Sequence, residues 1–176
     1  MNQAEKPMNK PILNIADLEL APWPIGTPDR LNDRFGVRFG QLGAVLGAQK
    51  LGYNLTVIEP GKAAFPLHNH RVNEEMFFIV EGSGQVRIGA DTHAIRAGDV
   101  IACPPGGTET AHQIVNTGDS EMRVLAISTK LWPEICDYPD SNKFGVLSVT
   151  QGKDGKPEIF RHMARDGSSL EYWDGE

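Results

Sequence analysis

The stretch that decides the fold and the chemistry is residues 68–82, which read HNHRVNEEMFFIVEG. The chain has five histidines, and two of them, His68 and His70, stand one residue apart in this stretch. Successive side chains of a β-strand point to opposite faces, so an H-x-H pair presents both imidazoles on one face, about 6.5–7 Å apart along the strand axis. Both rings can then reach one cation at bond lengths of roughly 2 Å. The stretch therefore indicates a metal site that needs further ligands from elsewhere in the chain.

The composition is typical of one ordinary globular domain. A length of 176 residues suffices for one well-buried core and is short for two domains. The 17 basic and 23 acidic residues give a net charge of −6, and the basic residues are scattered, which argues against nucleic-acid or membrane-surface partners. The N-terminus lacks an apolar signal region, and no segment approaches the roughly 18–20 apolar residues of a membrane-spanning helix. We therefore expect a cytoplasmic protein.

Short apolar runs cut by turn residues predict an all-β domain with little helix. Three segments consist of two strand-like runs around a turn, and we expect hairpins at 81–84 (EGSG), at 98–99 (GD) and at 116–120 (NTGDS). Closely spaced strands with short turns close into a barrel or a sandwich, and periodicity does not choose between the two.

The chain divides into three parts within one domain. Residues 1–34 form a polar, proline-rich N-terminal arm and lead-in, residues 35–130 form the barrel core, and residues 131–176 form a C-terminal extension. The extension contains the aromatic side chains of Phe160 and Trp173, among others, which predict packing on the barrel or on a second subunit.

Several polar residues receive structural interpretations. Two cysteines cannot build the disulfide framework of a small secreted domain, and we interpret Cys103 and Cys136 as small buried apolar residues. His93 and His162 have no partners at metal-ligand spacing and are expected to be surface or packing residues. Asn116 is interpreted as a cap of the turn at 116–120, with a place beside the metal site as the alternative.

Two segments resemble the two sequence motifs of the cupin superfamily. Residues 61–82, GKAAFPLHNHRVNEEMFFIVEG, contain a glycine, the H-x-H pair, a glutamate and a second glycine. Residues 98–116, GDVIACPPGGTETAHQIVN, contain a glycine, P-x-G, a histidine and an asparagine. The loop at 106–112 is longer than the family pattern has. The chain is similar to short bacterial cupins, and the resemblance implies a double-stranded β-helix, that is, a jelly-roll barrel, and a homodimer.

Carried over by position, the resemblance also implies a metal centre. Three imidazoles and one carboxylate suit one divalent first-row ion (Zn, Fe, Mn or Ni) and leave coordination positions open for substrate. The implied metal ligands are His68, His70, Glu75 and His112. The apolar and polar-tipped residues that we expect to line a substrate pocket are Tyr53, Phe77, Ile79 and Ile114.

The glutamate that would bind the metal and the backbone conformation of the residues before it depend on each other. Periodicity alone does not choose between Glu74 and Glu75 as the metal ligand, because each shares a strand face with apolar side chains. The spacing of the resembled motif to Gly82 selects Glu75 and leaves Glu74 at the surface. His70 and Glu75 are an odd number of residues apart, so a turn or bulge at 71–73 must bring both to one face.

The resemblance implies a metal-dependent enzyme that acts on a small polar metabolite. An isomerase or lyase would use the metal to polarise a carbonyl, and a dioxygenase would use iron(II). Some of the short bacterial cupins carry a sugar-phosphate isomerase label, but the barrel segment has few Lys or Arg side chains for a phosphate, which argues against that substrate. The alternative is a non-catalytic module that binds or senses a small molecule.

Overall fold

The computed structural model describes residues 11–24, 26–165 and 167–176, so the first ten residues of the predicted arm lie outside it. Within the described residues one α-helix is present, α1 (Leu42–Leu46), in agreement with the prediction of little helix. The strands of this part of the chain are β1 (Ala21–Pro22), β2 (Val37–Gly40), β3 (Leu51–Ile58), β4 (Asn69–His70), β5 (Glu75–Glu81), β6 (Ser83–Ile88), β7 (Asp91–Arg96), β8 (Val100–Cys103), β9 (His112–Val115), β10 (Met122–Thr129), β11 (Glu134–Tyr138), β12 (Lys143–Gln151) and β13 (Pro157–Arg165).

The strands form three antiparallel sheets. The largest has the order β1-β2-β3-β10-β5-β8, the second has the order β13-β12-β11-β4, and the third has the order β7-β6-β9. This is the all-β, jelly-roll architecture that the sequence predicts. No helix among the described residues is long and apolar enough to cross a membrane.

The main core lies between the six-stranded and the three-stranded sheet. The six-stranded sheet contributes buried residues from four of its strands, including Ile58 and Ile79, and the three-stranded sheet contributes Val86, Ile95 and Ile114. Alternation along each strand directs these side chains to the inner face. A second cluster covers the outer face of the large sheet, where Leu, Ile and Tyr side chains from 13–20 and from β3 pack together.

The predicted hairpins are wrong, although their strands and turns exist. The chain leaves the six-stranded sheet at Gly82 and returns to it at Gly98, and β9 and β10 also lie in different sheets. Both glycines have positive φ values, +88° and +94°, which L side chains rarely adopt. Because the chain changes sheet at these two glycines, the two sheets can face each other and bury both apolar faces. Hairpins at these positions would keep the strands in one sheet. The hairpin in this region is β6–β7, which turns at Gly89.

The strand β11 begins at Glu134, beyond the predicted end of the barrel core at residue 130. It pairs on one side with β12 and on the other with β4, where Cys136 is opposite His70. The segment that follows the barrel core therefore contributes a strand to the sheet that contains a predicted metal ligand.

Asn116 is the cap of the turn that follows β9. Its side chain is fully buried. The amide nitrogen donates to the carbonyl oxygens of Ile58 (2.9 Å) and Ser120 (2.8 Å), and the amide oxygen accepts from the Gly118 N–H (2.9 Å). The turn interpretation of this residue is confirmed.

We expect Asn116→Ala to lower the free energy of unfolding by about 2–4 kcal/mol, because it leaves buried backbone groups without partners. Urea unfolding monitored by circular dichroism measures this. Thr117→Ala, at an exposed neighbour, is the control and should change stability by less than about 0.5 kcal/mol. Equal midpoints for the two variants would contradict the role assigned to the amide.

Candidate metal centre

The predicted ligands lie where the three sheets meet. His70 is in β4 of the four-stranded sheet, Glu75 begins β5 in the six-stranded sheet, and His112 begins β9 in the three-stranded sheet. His68 precedes β4 and forms an isolated antiparallel bridge with His112, in which the His112 N–H donates to the His68 carbonyl over 2.8 Å. The centre therefore joins elements that are not hydrogen-bonded into one sheet.

The predicted turn between His70 and Glu75 is confirmed. The backbone bends at Arg71 and Val72 before β5 begins. The bend changes the phase of the alternation, so Glu75 faces the histidines. Glu74 is exposed, as expected.

The donor atoms of the four residues lie within 4.8 Å of one another. Glu75 Oε2 is 3.0 Å from His112 Nε2 and 3.3 Å from His70 Nε2. The His68 ring centroid is 5.1 Å from that of His70 and 4.9 Å from that of His112. Distances of this order allow one ion to reach every donor at roughly 2 Å after small side-chain movements.

The outer ring nitrogens are held by partners, which directs the other nitrogens inward. His68 Nδ1 donates to the Pro66 carbonyl over 2.9 Å, and His112 Nδ1 lies 3.4 Å from the Thr110 carbonyl. His70 Nε2 is buried and makes no hydrogen bond of good geometry among the described residues, although Glu75 Oε2 lies 3.3 Å away. A buried nitrogen without such a hydrogen bond is what a metal ion would satisfy. The cluster could therefore hold a metal ion.

The electrostatics favour deprotonated ligands at two positions. Burial, reinforced by His112, lowers the pKa of His68 to about 4, so this imidazole is neutral near pH 7. Burial alone would raise the pKa of Glu75, but the hydrogen bond with His112 and the nearby His70 ring hold it well below its usual range. The carboxylate is therefore ionised.

His70 differs from the other two histidines because it lies between two carboxylates. Burial alone would lower its pKa, but Cys136 and the carboxylates of Glu134 and Glu75 raise it to about 12. A metal ion on Nε2 would replace the proton that this arrangement favours.

Three of the four predicted pocket residues lie on the inner faces of the sheets, the faces that also carry the predicted metal ligands. The Phe77 ring is 5.4 Å from the His112 ring, and Ile79 and Ile114 are buried in the main core. Tyr53 instead packs in the second cluster, on the outer face of β3. The structure does not bring Tyr53 to the histidines, because alternation places it on the opposite face from Ile58.

The face of β11 toward the site carries residues that the sequence analysis missed. Cys136 Sγ is 3.3 Å from His70 Nδ1, and Glu134 Oε2 is 3.5 Å from the same nitrogen. The ring of Tyr138 is stacked on His68 with centroids 5.9 Å apart. The expectation that Cys136 is only a buried apolar residue is wrong, since it is half-buried and contacts His70. The alternation E-x-C-x-Y was the available signal.

The remaining predicted surface and packing residues are where the sequence placed them. His93 and His162 are exposed. Cys103 is buried in the main core, and burial raises the pKa of its thiol to about 12, which makes it a poor nucleophile. Neither cysteine forms a disulfide.

The enlarged loop at 106–112 is ordered against β4. The Gly106 N–H donates to the His70 carbonyl over 2.9 Å, and the Asn69 amide donates to the Gly106 carbonyl over 2.8 Å. A short 3-10 helix, Thr108–Thr110, follows and ends two residues before His112. The loop therefore links two of the ligand-bearing strands.

Residues 54–128 match the cupin domain family, and this region includes all four predicted ligands. Residues 54–128 of this chain form a cupin domain. Its double-stranded β-helix is shared with solved structures of other cupins.

Two solved structures extend the likeness beyond this region. One, described as a sugar phosphate isomerase of the cupin superfamily from Silicibacter pomeroyi, is 27% identical with a TM-score of 0.73 over 92% of this chain and 98% of that chain. The other, from Acidithiobacillus ferrooxidans, carries a provisional description as a sugar phosphate isomerase. It is 27% identical with a TM-score of 0.59 over 70% of this chain and 75% of that chain.

Auxin-binding protein 1 of Arabidopsis thaliana is 33% identical over 106 residues, which are 56% of this chain and 52% of that protein. The chain spans about half the length of the curated relatives that it matches.

We expect His68→Ala and His112→Ala to weaken metal affinity by more than about 100-fold, because loss of a ligand should exceed the roughly 10–100-fold effect of losing an outer partner. Titration with cobalt(II), followed by visible absorption, measures the affinity. His93→Ala and His162→Ala remove exposed imidazoles and are the controls. Wild-type affinity in both ligand variants would refute the ligand assignment.

Proposed function

We propose that this cupin binds one divalent first-row metal ion and uses it to isomerise a small, anionic, polar metabolite. The observation that supports the proposal is the convergence of three imidazoles and one carboxylate from three sheets, with a buried ring nitrogen that makes no hydrogen bond of good geometry among the described residues. The residues that would hold the ion are His68, His70, Glu75 and His112. A bound ion would supply Lewis-acid polarisation of a substrate oxygen.

The residues around the centre limit how a substrate could bind. Phe77 lies beside His112 and places an apolar ring 5.4 Å from the imidazole. Tyr138 is stacked on His68 on the side of β11. Burial raises the pKa of the Tyr138 hydroxyl, so it stays protonated near pH 7 and can donate a hydrogen bond.

A cation near Tyr138 supports an anionic substrate. Lys143 Nζ is 5.0 Å from the Tyr138 ring, and no carboxylate pairs with it among the residues that the structure describes. Lys143 is half-buried and belongs to β12, so a count of basic residues in the barrel segment does not include it. The two isomerase-described neighbours are consistent with a phosphorylated sugar. We therefore propose a sugar phosphate as the substrate class.

We also retain a second candidate function, a non-catalytic small-molecule binder that keeps the metal. Its support is the similarity to a relative whose name describes it as auxin-binding. Tight binding of a metabolite without product formation would favour this candidate over the isomerase.

The first experiment is elemental analysis of untagged, chelator-free protein, followed by aldose–ketose phosphate assays on the metal-loaded form. Zinc, manganese or nickel at one ion per chain with turnover supports the isomerase. Iron with substrate-dependent oxygen uptake would favour a dioxygenase and contradict the isomerase proposal.

We expect Lys143→Met to raise KM for the phosphorylated substrate about 10-fold or more, because a hydrogen bond to a charged group contributes about 1.5–3 kcal/mol. Steady-state kinetics measure the change, and kcat and metal content should stay near wild type. Lys153→Met, at an exposed lysine between β12 and β13, is the control. Equal KM values for both variants would contradict the role proposed for Lys143.

We propose that the protein is a homodimer that associates through β13. This strand lies at the edge of the four-stranded sheet and exposes Ile159, Phe160 and Met163. Exposed apolar side chains on an unpaired edge favour pairing with another strand. Cytoplasmic location remains the expectation from the sequence.

We expect Phe160→Asp to convert the dimer into a monomer of 19.3 kDa, because the charge would be buried at the interface. Light scattering coupled to size-exclusion chromatography measures the mass. Tyr172→Asp changes an aromatic residue that is even more exposed but lies beyond the strand, and it should leave the mass unchanged. A monomeric wild type would refute the dimer.

A further inference from the structure

We propose that Glu134 is a positioning residue of the metal centre, which fixes the His70 ring and the bend that precedes Glu75. Glu134 lies outside the region that matches the cupin domain family, residues 54–128. The inference rests on the proposed metal centre, and it adds a part of the chain that the four ligands do not include.

The first line of support is the contact with His70. Glu134 is 3% exposed, and its Oε2 lies 3.5 Å from His70 Nδ1, which Cys136 Sγ also contacts at 3.3 Å. The strand pairing of β11 with β4 brings the two side chains together, with Cys136 opposite His70. A carboxylate beside Nδ1 favours the proton on that nitrogen and leaves Nε2, on the other side of the ring, for the ion.

The second line of support is the bend. Glu134 Oε1 accepts from the backbone N–H groups of Arg71 (3.1 Å) and Val72 (3.2 Å). Its Oε2 accepts from the Asn73 N–H (2.9 Å) and also from the Asn73 side-chain amide. The Arg71 N–H also donates to the Ile135 carbonyl of β11 over 2.9 Å. One buried carboxylate thus accepts from three consecutive backbone donors, two of which, those of Val72 and Asn73, have no strand partner among the described residues.

These contacts link two ligands to one residue. The bend at 71–73 decides on which face of β5 the next side chains lie, and Glu75 is the first residue of that strand. Glu134 therefore acts at both ends of the segment. It contacts the ring of His70, and it stabilises the bend that decides on which face of β5 the Glu75 side chain lies. Loss of the carboxylate should loosen the geometry of both ligands.

The matched control is Asp137 on the same strand. Asp137 pairs with Arg71 (2.9 Å) and accepts from the Asn69 amide (2.8 Å), but it has no contact with His70 among the described residues. Asp137→Asn removes one negative charge from β11, as Glu134→Gln does, without touching the His70 ring. A general effect of charge or of strand stability would therefore appear in both variants.

The experiment is a titration of metal-free wild type, Glu134→Gln and Asp137→Asn with cobalt(II), at a temperature where each variant is folded by circular dichroism. We expect about a 10–100-fold weaker affinity and an altered visible spectrum for Glu134→Gln. We expect less than about a threefold change for Asp137→Asn. Wild-type affinity and spectrum in Glu134→Gln, or equal losses in both variants, would overturn the inference.

A second measurement covers the case in which Glu134→Gln does not fold. Two-dimensional ¹H–¹⁵N spectra of the imidazole region of zinc-loaded wild type report which ring nitrogen of His70 carries the proton. A protonated Nδ1, shielded from exchange, supports the inference, and a protonated Nε2 overturns it. Failure of the wild type to bind cobalt or zinc would instead refute the proposed metal centre, and the role of Glu134 with it.

Discussion

The candidate site depends on the alternation of side chains along a strand. His70 and Glu75 are separated by an odd number of residues, so a continuous strand would point them to opposite faces. The bend at 71–73 removes this conflict, and it leaves the backbone N–H groups of Val72 and Asn73 in need of acceptors, while the Arg71 N–H donates to the Ile135 carbonyl of β11. The carboxylate of Glu134 supplies the acceptors from a strand more than 60 residues away. The bend that brings His70 and Glu75 to one face is thus stabilised by a residue that is distant in the sequence.

The position of the cluster at the meeting point of three sheets has consequences for stability. Hydrogen bonds between strands connect each sheet internally, but between the sheets the connections are side-chain packing and short backbone bridges, such as the one between His68 and His112. An ion bound by the four residues would join β4, β5 and β9 directly. Metal binding and folding are then coupled, because the unfolded chain has no such arrangement of donors.

The environment of each histidine differs although all three occupy one cluster. His68 is half-buried with a backbone carbonyl as its outer partner, and burial of its ring lowers its pKa. His70 lies between Glu75 and Glu134, and its pKa is raised. The two rings are 5.1 Å apart, so their partners and not their burial alone account for the opposite directions. The residues that differ between them come from β11, which gives that strand an electrostatic role as well as a structural one.

The sequence by itself determined what depends on neighbouring residues. Apolar alternation and turn residues determined the strands, the H-x-H pair and the odd spacing to Glu75 determined the need for a bend, and the amide of Asn116 determined a turn. The motif resemblance added His112 as a ligand. Apart from the motif resemblance, these features depend on residues that are close together in the sequence. They can therefore be recognised from short segments of the chain.

Only the tertiary structure decided how the strands pair and what surrounds the histidines. The expected hairpins at Gly82 and Gly98 are instead crossings between sheets, because burial of two facing apolar surfaces outweighs pairing of adjacent strands. Tyr53 lies on the outer face, and Glu134 and Cys136 contact His70 through a strand pairing that joins residues far apart in the sequence. Such contacts follow from closure of the barrel and from the register of its strands, and no local pattern in the chain contains that information.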